Sequence, residues 1–155
     1  MQQATELSRH LRDVFTGGNW TAVNFRDTLA DVTAAEAVAK LADHNTIADL
    51  TFHVGYYLRG LTDVLRGGEL AIRDKFSFRT PPVTTPAGWA GLRDGLLTDA
   101  ETFAALVEEL PEKTIAGPFV EEKYGSWQRN LIGLIEHCHY HLGQIVILKK
   151  LLRAA

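Results

Sequence analysis

Histidine is the residue type in this chain with the widest chemical reach, and its six copies, His10, His44, His53, His137, His139 and His141, are unevenly placed. His137 and His141 stand four apart in an unbroken helical pattern, which sets them on one face with Cβ atoms about 5–6 Å apart. Two imidazoles at that spacing can converge on one divalent ion at about 2.0–2.1 Å each. At ~100° per residue the same face carries Asn130, Gly133, Leu134, Gln144, Ile145 and Leu148. That stripe is mostly core-like, so the pair points inward. Two adjacent buried imidazoles without partners are costly, and coordination in their neutral form satisfies them. His53 lies in the apolar run Leu50-Thr51-Phe52-His53-Val54-Gly55-Tyr56-Tyr57. Alone, a histidine there reads as a hydrogen-bonded core residue; beside an inward His-x-x-x-His pair it reads as a third ligand. Three histidines leave a fourth position open, as catalytic rather than structural zinc sites do.

An ion so held lowers the pKa of bound water towards about 7, or keeps a thiolate deprotonated. Hydrolysis usually needs a general base. In the His-Glu-x-x-His pattern the glutamate follows the first histidine, and here that place holds Cys138. Glu136 points about 100° away. Asp49, one turn before His53, is the best carboxylate available, and capping the helix is its equally weighted role. Gln144 could orient a ligand or hold a histidine in one tautomer, and Tyr57 could do the same from one turn beyond His53. The absence of a clear base favours thiol chemistry, with hydrolysis by metal-bound water and a non-catalytic metal-binding stress-response bundle as the alternatives. His139 lies about 200° round the helix from His137, facing solvent or a partner, and Cys138 reads as a buried or interface thiol. His10 belongs to no constellation, and His44 precedes the second long helix, where it could assist capping. A ferritin-like di-iron centre needs two Glu-x-x-His elements and two further glutamates. Only Glu136-His137-Cys138-His139 fits, once, on the face away from the pair. No P-loop and no nucleophile elbow occurs.

The elements that must position these residues are helical. Leu7, Leu11, Val14 and Phe15 predict a first helix over about Gln3 to Thr16, ended by Gly17-Gly18-Asn19. Trp20 to Asp31 reads as a loop with a short helix, and Thr33-Ala-Ala-Glu36 is a capping box opening a brief helix through Leu41. Asn45 or Thr46 caps a second long helix whose apolar face runs from Ile47 to Leu65, stopping at Gly67-Gly68. A third is expected from Pro86 to Leu110, weakened by Gly91 and Gly95, and a fourth from Ser126 to Arg153. The connection over residues 67–85 is long and rich in proline, yet also holds Leu70, Ile72, Phe76, Phe78 and Val83. Such a link predicts a packed crossover joining parallel helices, and so an all-α, up-down-down-up four-helix bundle.

With 155 residues, 46% hydrophobic and 23% charged, the chain fits one domain over 1–155 with a single core. A net charge of -3 with scattered cations gives no electrostatic ground for a nucleic-acid partner. No apolar run reaches the roughly 18 residues of a membrane span. One cysteine and an N-terminus without a signal-peptide pattern lead to the expectation of a cytoplasmic location.

Three stretches carry a family likeness. They are Asn45-Thr46-Ile47 through His53 to Tyr56-Tyr57, then Asp74-Lys75-Phe76-Ser77-Phe78 with Pro81-Pro82, and Tyr124-Gly125 through Arg129-Asn130 into Ile135-Glu136-His137-Cys138-His139-Tyr140-His141-Leu142-Gly143-Gln144-Ile145. The chain resembles the DinB/YfiT-like superfamily of bacterial four-helix-bundle proteins along nearly its whole length. The resemblance implies a three-histidine site for zinc, nickel or a similar ion, and a homodimer. It implies no single reaction: relatives include bacillithiol- and mycothiol-dependent transferases or isomerases and proteins loosely described as metal-dependent hydrolases. Leu142 stands where many relatives carry arginine, which puts any substrate contact by that arginine in doubt here.

Overall fold

The computed structural model describes residues 2–154. Four long helices dominate it: α1 (Gln2–Phe15), α4 (Ile47–Leu65), α5 (Pro86–Glu108) and α7 (Trp127–Ala154). Three short ones, α2 (Phe25–Leu29), α3 (Ala34–Val38) and α6 (Glu112–Ala116), lie in the connections, and the described residues include no strand. The protein is all-helical. No helix among the described residues is long and apolar enough to cross a membrane.

Each long helix buries an apolar face at helical spacing. On α1 this is Ala4, Leu7, Leu11, Val14 and Phe15; on α5 it is Trp89, Leu96, Ala100, Phe103, Ala104 and Val107. α5 packs against both α1 and α4, and α7 packs against the same two. Polar groups fix the register at the seams. Ser8 donates to the Ala104 carbonyl at 2.7 Å, and Arg12 bridges Glu101 and Glu108. Arg59 pairs with Asp99 at 2.7 Å across α4 and α5. Trp89, buried at the start of α5, donates its indole N–H to the Val32 carbonyl at 2.7 Å. At the far end of α7, Lys149 and Arg153 clasp Asp31 and Glu36, whose carboxyls these cations hold down at about 2.

The elements follow the sequence signals closely. Thr33/Glu36 and Thr46/Asp49 both form complete capping boxes, so Thr46, rather than Asn45 or His44, caps α4. The helix after Thr33 ends at Val38, short of Leu41, and α5 ends at Glu108, short of Leu110. Pro111 then opens α6, a helix that the pattern of apolar residues does not announce, because only Ile115 of its five residues is buried.

The crossover between α4 and α5 is a packed strap. Gly67, at φ +88°, turns the chain out of α4. The strap then runs back along α4, where a Cβ on Gly60 would lie 2.4 Å from Ile72 Cγ1. Only glycine allows that approach. The Tyr56 hydroxyl accepts from the Arg73 N–H at 2.9 Å and donates to the Arg73 carbonyl at 3.1 Å. A 3₁₀ turn over Asp74–Phe76 follows, and Ser77 is wholly buried behind it. Thr80 ties the strap to the start of α4 by donating to Asp49 at 2.7 Å.

Candidate metal centre

α4 and α7 bring His53, His137 and His141 together. Their ligand-capable nitrogens all lie within 4.8 Å of one another, so the group could hold a metal ion. His53 Nε2 and His137 Nε2 are 2.9 Å apart. The three ring centroids are separated by 4.5 to 5.0 Å. His53 and His141 are buried, at 5% and 7% exposure, whereas His137 is half-buried.

Burial first, then the neighbouring His141, pushes the His53 imidazole down to about 4, against a smaller opposing pull from Asp74 and the Ser77 backbone. Burial, His141 and His53 lower His137 to about 4 as well. Burial lowers His141, with Gln144 acting against it. All three are therefore neutral near pH 7, which is the ligating form. His141 Nδ1 lies 2.7 Å from Gln144 Oε1, and Gln144 Nε2 donates to the Tyr140 hydroxyl at 3.3 Å. That orientation makes Oε1 the acceptor of the Nδ1–H proton and leaves Nε2 of His141 with its lone pair free. His53 Nδ1 is buried and makes no hydrogen bond of good geometry. Phe78 from the strap lies flat on the His53 ring, 4.1 Å between centroids at 15°, and fixes its plane instead.

The donor set fits a divalent transition ion: three convergent neutral imidazoles and no cation among them. Tyr57 stands edge-on to His53 and His137, with centroids at 5.1 and 4.9 Å. Its hydroxyl donates to Asp74 Oδ1 at 3.1 Å. Asp49 completes the capping box of α4. Its oxygens accept from the Thr46 N–H at 3.0 Å and the Thr80 hydroxyl at 2.7 Å, and these bonds outweigh burial in lowering its pKa. The carboxylate whose charge reaches His53 and His137 is Asp74. Sequence spacing misses it because Asp74 lies in the crossover, where no helical period predicts direction. Its place in the Asp74-Lys75-Phe76-Ser77-Phe78 stretch is the one available signal.

Cys138, between two of the histidines in sequence, is wholly buried on another face, where burial pushes its thiol up to about 12. Tyr124 and Trp127 pack edge-on against Phe119. His139 turns away from the cluster towards His10, 6.3 Å between centroids, and is half-buried rather than open to solvent.

No curated protein and no solved structure matches the chain. The family model of the DinB superfamily matches residues 19–145, a span that contains all three histidines, Tyr57, Asp74 and Gln144. The chain belongs to the DinB superfamily.

Proposed function

We propose that this chain is a single-domain, cytoplasmic metalloenzyme that joins a low-molecular-weight thiol of the bacillithiol or mycothiol type to a small electrophile. In this reading His53, His137 and His141 hold one zinc or nickel ion, both of which suit imidazole donors. The observation that carries it is the convergence of three neutral imidazoles with no carboxylate among them. Bound there, such an ion supplies a Lewis acid that keeps a thiolate deprotonated at neutral pH. Gln144 holds His141 in one tautomer, Phe78 holds the plane of His53, and Tyr57 forms the wall beside His137. Asp49 serves the site indirectly, by anchoring both the start of α4 and the end of the strap.

A second reading, a metal-dependent hydrolase, is favoured by the Tyr57–Asp74 hydrogen bond, which brings a carboxylate to the edge of the cluster. A turnover screen decides between them: bacillithiol, mycothiol and glutathione with generic electrophiles, run beside an ester panel. The thiol reading expects metal-dependent thiol consumption that His141→Ala abolishes and Asp74→Asn leaves within about threefold. The hydrolase reading expects ester turnover that Asp74→Asn lowers by about 10²-fold or more, as loss of a general base does.

The bundle we propose is up-down-down-up. Supporting it, the start of α1 bonds to residues near the end of α5 and beyond (Gln3 to Glu112, Ser8 to Ala104). α3 packs on both α4 and α5, and Arg153 at the end of α7 reaches Glu36 of α3. We also propose a homodimer. The stripe Tyr140, Ile147 and Leu151 on α7, at 64, 59 and 52% exposure, supports an apolar interface there.

A further inference from the structure

A large open cavity of the protein contains none of the three clustered histidines. It opens between α1 and α7, encloses about 1100 Å³, and is lined by Glu6, His10, Asp13, Glu136 and His139 among others. Each helix puts one glutamate and one histidine into it, a turn apart: Glu6 with His10 on α1, and Glu136 with His139 on α7. Spacings of four and three residues set each pair on one helical face. The lone Glu-x-x-His element of the sequence, on the far side of α7 from the clustered histidines, thus finds a counterpart on α1.

One of these side chains, His139, lacks a partner for a buried ring nitrogen, Nδ1. Among the described residues neither Glu6 nor Glu136 takes part in an ion pair, and neither does Arg9, the cation that also lines the cavity. The rings of His10 and His139 face each other at 6.3 Å, against 4.5 to 5.0 Å within the three-histidine cluster. Among the described residues only the three clustered histidines converge within 4.8 Å as they stand, so a shared ion here requires the exposed His10 side chain to rotate towards His139.

We propose that His10 and His139, with Glu6 and Glu136, form a second divalent-metal site of imidazole–carboxylate type, suited to Zn²⁺ or Cu²⁺. It binds more weakly than the first site, because exposed glutamates and an exposed imidazole must be immobilised on binding. The inference stands apart from the reading of the three-histidine centre, and the same experiment separates the two.

Metal-stripped protein is titrated with Zn²⁺ by calorimetry, with elemental analysis of the endpoint and circular dichroism to check folding. The wild type is expected to take two equivalents, the second at least about tenfold weaker. His139→Ala and His10→Ala are each expected to keep only the tight equivalent, and His53→Ala only the weak one. A single equivalent in the wild type that His10→Ala leaves unchanged would overturn the second site, as would a weak equivalent that survives His10→Ala. Because His10 is exposed, that variant tests the site even if His139→Ala does not fold. Two equivalents persisting in His53→Ala would count against the three-histidine centre and leave the α1–α7 site standing.

Discussion

At the scale of single residues, His137 and His141 of α7 are legible because their relation is local. An i, i+4 spacing fixes a shared face, and their centroids do lie 4.5 Å apart. His53 comes from another helix, so spacing alone leaves it ambiguous, and its reading leans on the pattern around it. Asp74 is illegible for a related reason: its direction is set by the turn over Asp74–Phe76 and by Tyr57, contacts 17 residues apart in the chain. The electrostatics of the cluster give a pH signature. Unfolded histidines take protons near the ordinary value of 6.5, whereas folded His53 and His137 take them near about 4. Between those values the unfolded chain binds more protons, so stability present at neutral pH is lost as pH falls from 6.5 towards 4. Thermal melting of the metal-free protein is therefore expected at lower temperature at pH 5 than at pH 7. His53→Asn should reduce that difference. An equal melting temperature at the two pH values would mean that the imidazoles are not held in their neutral form by the fold.

At the scale of elements, capping boxes and glycine stops announce most boundaries, since they report hydrogen bonds made within a few residues. The strap shows where that legibility ends. Its apolar residues predict that it packs, but the partner surface on α4 depends on Gly60, a position that looks merely like a weak point in a helix. Gly60→Val is expected to collide with Ile72 and lift the strap, lowering both stability and metal affinity. Gly91→Ala makes the contrast. It is a helical glycine on an exposed stretch of α5 whose added Cβ meets nothing within 4 Å, so stability should rise by roughly 0.5–1 kcal/mol. Urea unfolding of the two variants reads both effects. A Gly60→Val protein as stable as the wild type would show that the strap is not seated on α4 as described.

At the scale of the whole molecule, composition and apolar periodicity carry the all-helical class, because burial of one face per helix is a global demand written locally. They carry neither the ring of contacts among α1, α4, α5 and α7 nor the association of chains, which depend on surfaces. Sedimentation velocity is expected to report a dimer, and Ile147→Lys with Leu151→Lys to convert it to monomer. A monomeric wild type would remove α7's outer stripe as an interface. The central claim concerns the ion. Protein purified without added metal and dialysed exhaustively is expected to carry close to one divalent ion per chain by elemental analysis. His53→Ala should carry almost none while its helical content is kept. Full occupancy in that variant would contradict the three-histidine centre.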